Sequence, residues 1–247
     1  VLVPTAVLFL PAMGMAVAAV SAFVLALLGI ALVPLLADLP RFTPAAALGA
    51  AVVLGVVGFA QNGFTPDRPA PSHLMYLLDA DAGTARWVSE ETTPGAWTDR
   101  HVDGPETLTV PGVEGTFATG PAGVADLPPA EVTATREGTT LRARIEPQRS
   151  VRLVAFRTEE AVVASATVDG AAVPVRDGRL DLVFHAPPPE GVDLRLELTG
   201  AGPVHLLVTD GSDGLAGLPG LIPRPPDVGV AGSHTSELVA VTRRIEL

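Results

Sequence analysis

The sequence contains no cysteine and no lysine, and residues 1–37 carry no charged side chain and no histidine. Each absence excludes something. Without cysteine there is neither a disulfide framework nor a thiolate metal site. Without lysine, all 16 basic residues are arginine, which, with the abundance of Ala, Gly, Pro and Val, reads as the product of a GC-rich, bacterial genome. The net charge of −11 falls almost wholly after Phe64. An acidic surface of that kind argues against nucleic acid as a partner and against polybasic binding to anionic lipid.

The first charge-free run is succeeded by a second at residues 42–66. About 20 consecutive apolar residues suffice to cross a hydrocarbon core of about 30 Å. The expectation is therefore a set of transmembrane α-helices over residues 1–66. Residues 1–10 would be the tail of a truncated span, 15–36 a full span, and 45–60 the next. Pro11, Gly14, Pro34 and Pro40 supply the breaks, and Pro44 sits well at a helix start. The small residues Gly49, Gly55 and Gly58 suit helix–helix packing. Arg41 on the inner side would put residues 67–247 outside the cell. The chain opens with neither an initiator Met nor a basic n-region, which reads as a piece of a multi-pass protein and not as a signal peptide. The expected localisation is a multi-pass cell membrane protein with its β-domain extracytoplasmic, and membrane lipid is an expected partner.

Residues 67–247 read differently. Short segments with period-two alternation are separated by turn residues. Strands are expected at 73–78, 84–89, 106–110, 115–118, 132–135, 141–145, 151–157, 161–168, 172–175, 180–184, 194–198, 204–209 and 237–246. Asp169-Gly170 and Asp177-Gly178 are hairpin turns, and Asp79 to Gly83 is an Asx turn and not a calcium loop. Residues 211–233 read as a long Gly/Pro loop. The expected fold class is N-terminal transmembrane α-helices followed by an all-β domain, an antiparallel β-sandwich.

Chemistry is harder to find. The histidines His73, His101, His185, His205 and His234 are too far apart for a two-His helix motif. Ser212 and Ser233 lack the strand–turn–helix setting of a nucleophile elbow. Glu90 and Glu91 are neighbours whose side chains would diverge on a strand. Trp87 and Trp97 are the candidate surface-binding residues, a stacking platform for sugar, with burial in the core as their alternative fate. No catalytic residue and no metal ligand is assigned.

Residues 72–89 (SHLMYLLDADAGTARWVS), together with Pro94-Gly95-Ala96-Trp97-Thr98, resemble the region after the last membrane helix of multi-pass zinc metallopeptidases of the aminopeptidase Y type. These are the relatives of the vacuolar membrane protease and the endoplasmic reticulum metallopeptidase. Residues 127–132, 149–153, 168–170 and the closing 236–247 are similar to the same family. The resemblance implies a bacterial member and a non-catalytic C-terminal membrane-anchor and β-sandwich part of a zinc-dependent exopeptidase. Its zinc ligands and general base would lie in an upstream peptidase domain, matched by nothing here. The implied partners are that domain and its helices; no cofactor is expected in this chain, and zinc is expected upstream. The alternative is a membrane-anchored glycan- or protein-binding β-sandwich module.

Overall fold

Asp79 is where the central hairpin turns. Its Oδ1 accepts the backbone N–H groups of Asp81 at 3.1 Å and Ala82 at 2.9 Å. Gly83 then takes φ +62°, a left-handed conformation that glycine adopts at little cost. The computed structural model describes Gly49, Val52, Val53 and residues 63–247. The chain divides between Gly63 and Phe64, and Phe64–Leu247 is one compact unit.

The strands of that unit are β1 (Ala70–Ser72), β2 (Met75–Asp79), β3 (Thr84–Ser89), β4 (Gly104–Val110), β5 (Val113–Ala122), β6 (Glu131–Glu137), β7 (Thr140–Glu146), β8 (Leu153–Thr158), β9 (Val163–Val168), β10 (Ala171–Val173), β11 (Asp181–His185), β12 (Val192–Leu198), β13 (His205–Asp213), β14 (Val228–Val230) and β15 (Leu238–Glu246). An eight-stranded sheet runs β11-β8-β13-β15-β2-β3-β5-β4, and a five-stranded sheet runs β10-β9-β12-β7-β6. A two-stranded piece joins β1 to β14.

The two large sheets share one core. Leu141, Ile145, Leu194 and Leu196 of the five-stranded sheet pack with Val154, Phe156, Leu206 and Val208 from β8 and β13. Full burial of a side chain of this kind contributes about 1.5–3 kcal/mol. Period-two alternation is what puts these residues on one face, with Arg142, Arg144 and Arg195 on the other.

Toward β2 and β3 the eight-stranded sheet is apolar on both faces. Tyr76, Leu78 and Trp87 belong to one cluster, Met75 and Val88 to another. The first cluster is covered by Leu215, Leu218, Leu221 and Val228, all from the segment between β13 and β15. We call residues 214–237 the strap.

Where the chain crosses between the two large sheets, Asp210 holds it. This residue is 1 % exposed; its carboxylate accepts the N–H of Ala130 at 2.8 Å and pairs with the Arg149 guanidinium. Burial pushes the Asp210 carboxyl up, against the pull of Arg149 and of the Ala130 N–H.

Three expectations are corrected. First, the fold is not helices followed by a β-domain: among the described residues it is almost wholly β, in several sheets, and no helix is long and apolar enough to cross a membrane. The expected spans at 15–36 and 45–60 lie outside the described residues, apart from Gly49, Val52 and Val53. A charge-free run shows only that no side chain there demands water; length and hydropathy admit a span without dictating one. Second, the multi-pass membrane localisation loses its footing with those helices. Third, the sheets are not purely antiparallel. β15 runs parallel to β2, and β1 parallel to β14. Both parallel pairings bring together segments far apart in sequence, which local alternation does not reveal.

Candidate functional site

The densest polar cluster surrounds His73, which lies between β1 and β2 and is 3 % exposed. The Glu90 N–H points at His73 Nδ1, 3.0 Å away. Because a backbone N–H only donates, Nδ1 is the acceptor and the ring proton sits on Nε2. Nε2–H then donates to Thr235 Oγ1 at 2.9 Å, and the Thr235 hydroxyl donates to Glu90 Oε1. Ser233 Oγ donates to the other oxygen of Glu90 at 3.1 Å. Burial depresses the His73 pKa, outweighing the carboxylates of Glu90 and Glu91.

Hydroxyl, imidazole and carboxylate thus meet, as they do in nucleophilic hydrolases, but with the proton on the wrong nitrogen. A general base must accept the hydroxyl proton; here the imidazole donates to the hydroxyl. The cluster is arranged to hold the strap against the turn after β3. Glu91 does related work next door. Its oxygens accept the His73 N–H, the Thr98 hydroxyl at 3.0 Å and the Gly95 N–H at 2.7 Å, so the adjacent glutamates serve separate networks.

A second buried imidazole, His101, comes directly after the short 3-10 turn Thr98–Arg100. It accepts the Ile222 N–H at Nε2, 3.1 Å, which leaves Nδ1–H to donate to the Trp97 carbonyl at 3.1 Å. Trp97 Nε1–H donates to the Ile222 carbonyl at 2.9 Å, and the Arg224 guanidinium lies 4.4 Å over the Trp97 ring. Burial lowers the His101 pKa, with the nearby Arg100 charge adding to it.

The third cluster is exposed. Glu159 and Glu160, in the turn between β8 and β9, meet His205 at the start of β13, with ligand-capable atoms within 4.8 Å of one another. This is the chemistry of a divalent-cation site, two carboxylates and an imidazole. The three groups already have partners: both Glu160 oxygens accept from His205, through its ring and its backbone N–H, and Glu159 pairs with Arg244 at 2.8 Å. The Glu160 carboxylate raises the His205 pKa and is itself held below the usual range. The arrangement is a closed ion pair that a metal would have to open.

The residues singled out in the sequence are dispersed. Trp87 and Trp97 are 2 % and 4 % exposed, so the proposed sugar platform gives way to burial: the Trp97 indole faces the strap and the Trp87 ring stacks edge-on with Tyr76. The Asx reading of residues 79–83 holds. The hairpin turn at Asp169-Gly170 holds too, joining β9 to β10. Asp177-Gly178 is a tight turn closed by a single Arg176–Arg179 bridge, but β10 and β11 on either side lie in different sheets and form no hairpin; all four residues have positive φ. The long loop at 211–233 is shorter than expected, because β13 runs on to Asp213 and β14 interrupts the remainder. Sequence reasoning does not reveal His73, His101 and Glu160 as interacting residues. His101 has a local signal, a ring four residues from the Trp97 carbonyl it bonds; the His73–Thr235 pair, 162 residues apart, has none.

No family model matches the chain, and no curated protein or solved structure shows a significant likeness to it.

Proposed function

We propose that residues 64–247 serve as a non-catalytic β domain of a zinc-dependent exopeptidase, with peptide hydrolysis performed by a separate peptidase domain. The observation that carries this reading is where the resembling residues lie. Residues 72–89 form the β2–β3 hairpin at the middle of the eight-stranded sheet, and residues 94–98 form the turn that docks the strap through Trp97. They are structural residues, as an accessory domain requires. The two buried imidazoles agree with it, since both are committed to backbone or hydroxyl partners in tautomers fixed by obligate donors.

The test has two arms. The purified chain is assayed on aminoacyl-p-nitroanilides and short peptides with and without added zinc, and the reading frame 5′ of the Val1 codon is determined. The reading predicts no hydrolysis by the chain and a two-zinc peptidase domain in the same frame. Zinc-dependent hydrolysis by the chain itself, or a frame without such a domain, overturns it.

A further inference from the structure

The strap is fastened at two places by the same device. At each, a buried neutral imidazole accepts a backbone N–H at one nitrogen and donates from the other. His73 accepts from Glu90 and donates to Thr235 of the strap. His101 accepts from Ile222 of the strap and donates to Trp97. A second ring proton therefore has nowhere to go. On His73 it would appear at Nδ1 and face the Glu90 N–H; on His101 it would appear at Nε2 and face the Ile222 N–H. Donor would meet donor inside the protein, and a buried group that loses its partner is destabilising, more so when charged.

Beneath the strap lies an apolar surface. Leu215 is 2 % exposed, and Leu218, Leu221 and Val228 lie with it on Leu74, Tyr76, Trp87 and Trp97. The strap's own backbone is fastened to the sheet by few bonds: Ala231 N–H to the Ser72 carbonyl at 2.8 Å, Glu237 N–H to the Leu74 carbonyl at 3.0 Å, and the short β1–β14 pairing. The remaining links run through side chains, among them the Trp97 indole N–H to the Ile222 carbonyl and the Arg152 guanidinium to the His234 carbonyl; the Arg224–Glu237 ion pair lies within the strap itself.

We propose that the strap is an acid-released cover: protonation of His73 and His101 frees residues 214–237 and uncovers the aromatic face of the eight-stranded sheet, while the sheets stay folded. This goes beyond the peptidase reading and does not depend on it.

The surrounding charges set the balance. Around His73 they are Glu90, 3.4 Å from Nε2, Glu91 beneath its backbone, and His234 on the strap; Arg152 reaches the His234 and Ser236 carbonyls. The two carboxylates favour the cation, but burial opposes it more strongly. Around His101 are Asp99, Arg100 and Asp103 on its own loop, and Arg224 of the strap over the Trp97 ring. Both imidazoles are held below their ordinary value while the strap is closed. Closure is therefore fully supported above about pH 6.5 and weakens as the pH falls toward the depressed values. In that interval the opening constant grows about tenfold per pH unit for one histidine and up to about a hundredfold for two.

The experiment takes the full chain from pH 7.5 to 4, recording acrylamide quenching of tryptophan fluorescence beside far-UV circular dichroism. The chain has two tryptophans, both under or beside the strap, so the signal is local. The expected result is a rise in quenching that precedes any loss of the strand signal. His73→Gln and His101→Gln each make the rise shallower, and the double variant abolishes it over the same range. Quenching that rises only together with loss of the strand signal overturns the proposal, as does a wild-type profile unchanged by both substitutions. If a variant fails to fold at neutral pH, the order of the two transitions in the unaltered chain still decides.

Discussion

Tyr76 and Trp87 stand opposite each other on β2 and β3, their rings edge to face with centroids 5.4 Å apart. Such a pair contributes about 0.5–1.5 kcal/mol beyond the area it buries. The Trp87 ring meets His101 in the same way at 5.4 Å, and His101 meets Trp97 at 5.0 Å. A chain of four rings therefore links the central hairpin to the turn that holds the strap.

Tyr76 also uses its hydroxyl. It donates to the Gly123 carbonyl and accepts the Ala125 N–H, both at 2.9 Å, tying the segment after β5 to the sheet. Tyr76→Phe keeps the ring and removes both bonds. The expected cost is about 1–3 kcal/mol, read as a lower urea midpoint with an unchanged slope.

Asp210→Ala removes the buried partner of Arg149, whose side chain is 13 % exposed, and the acceptor of the Ala130 N–H. Breaking a buried pair from one side costs about 3–5 kcal/mol. Equilibrium unfolding in urea measures it, and a loss below about 1 kcal/mol would show that water reaches the site.

Gly120 lies where backbone meets backbone. A Cβ there would come within 2.2 Å of the His101 carbonyl oxygen and 2.8 Å of Val102 Cα. Neither is the end of a flexible side chain. Gly120→Ala should cost about 1–3 kcal/mol and loosen the 98–103 turn, visible as faster exchange of the Ile222 amide that His101 holds.

The strands are the legible part of the fold. Alternation and the turn pairs Asp169-Gly170 and Asp177-Gly178 put strands close to where they form, and Thr84–Ser89 matches at both ends. What escapes is long-range. β1 and β14 are three residues each, in Pro- and Gly-rich sequence, and neither has meaning without the other. The strap reads as a loop because Gly214, Gly217, Gly220, Pro219 and Pro225 advertise turns, while its fastening depends on Trp97, His101 and His73 from other parts of the chain. Alternation also says that Trp87 faces one side of β3, but not that residues 214–237 will cover that side. The expected membrane spans lie outside the described residues apart from Gly49, Val52 and Val53; a hydropathy run reports what a segment tolerates and leaves its partner unspecified.

The histidines should titrate in opposite directions. His73 and His101, depressed by burial, will have NMR midpoints below about 6.5, and His205, paired with Glu160, above it. These directions set the sign for stability. The His205 contribution is present below that value and lost as the pH rises through its folded midpoint; the His73 and His101 contributions are present above it and lost on acidification. Glu160→Gln should return His205 toward the ordinary value and leave the other two in place.

The aromatic face of the eight-stranded sheet is covered at neutral pH, with both indoles buried. Iodide and acrylamide quenching of the two tryptophans at pH 7.5 tests it directly. A covered face predicts blue-shifted emission, no iodide quenching and weak acrylamide quenching for both indoles. Red-shifted emission, with either indole open to iodide, would contradict it.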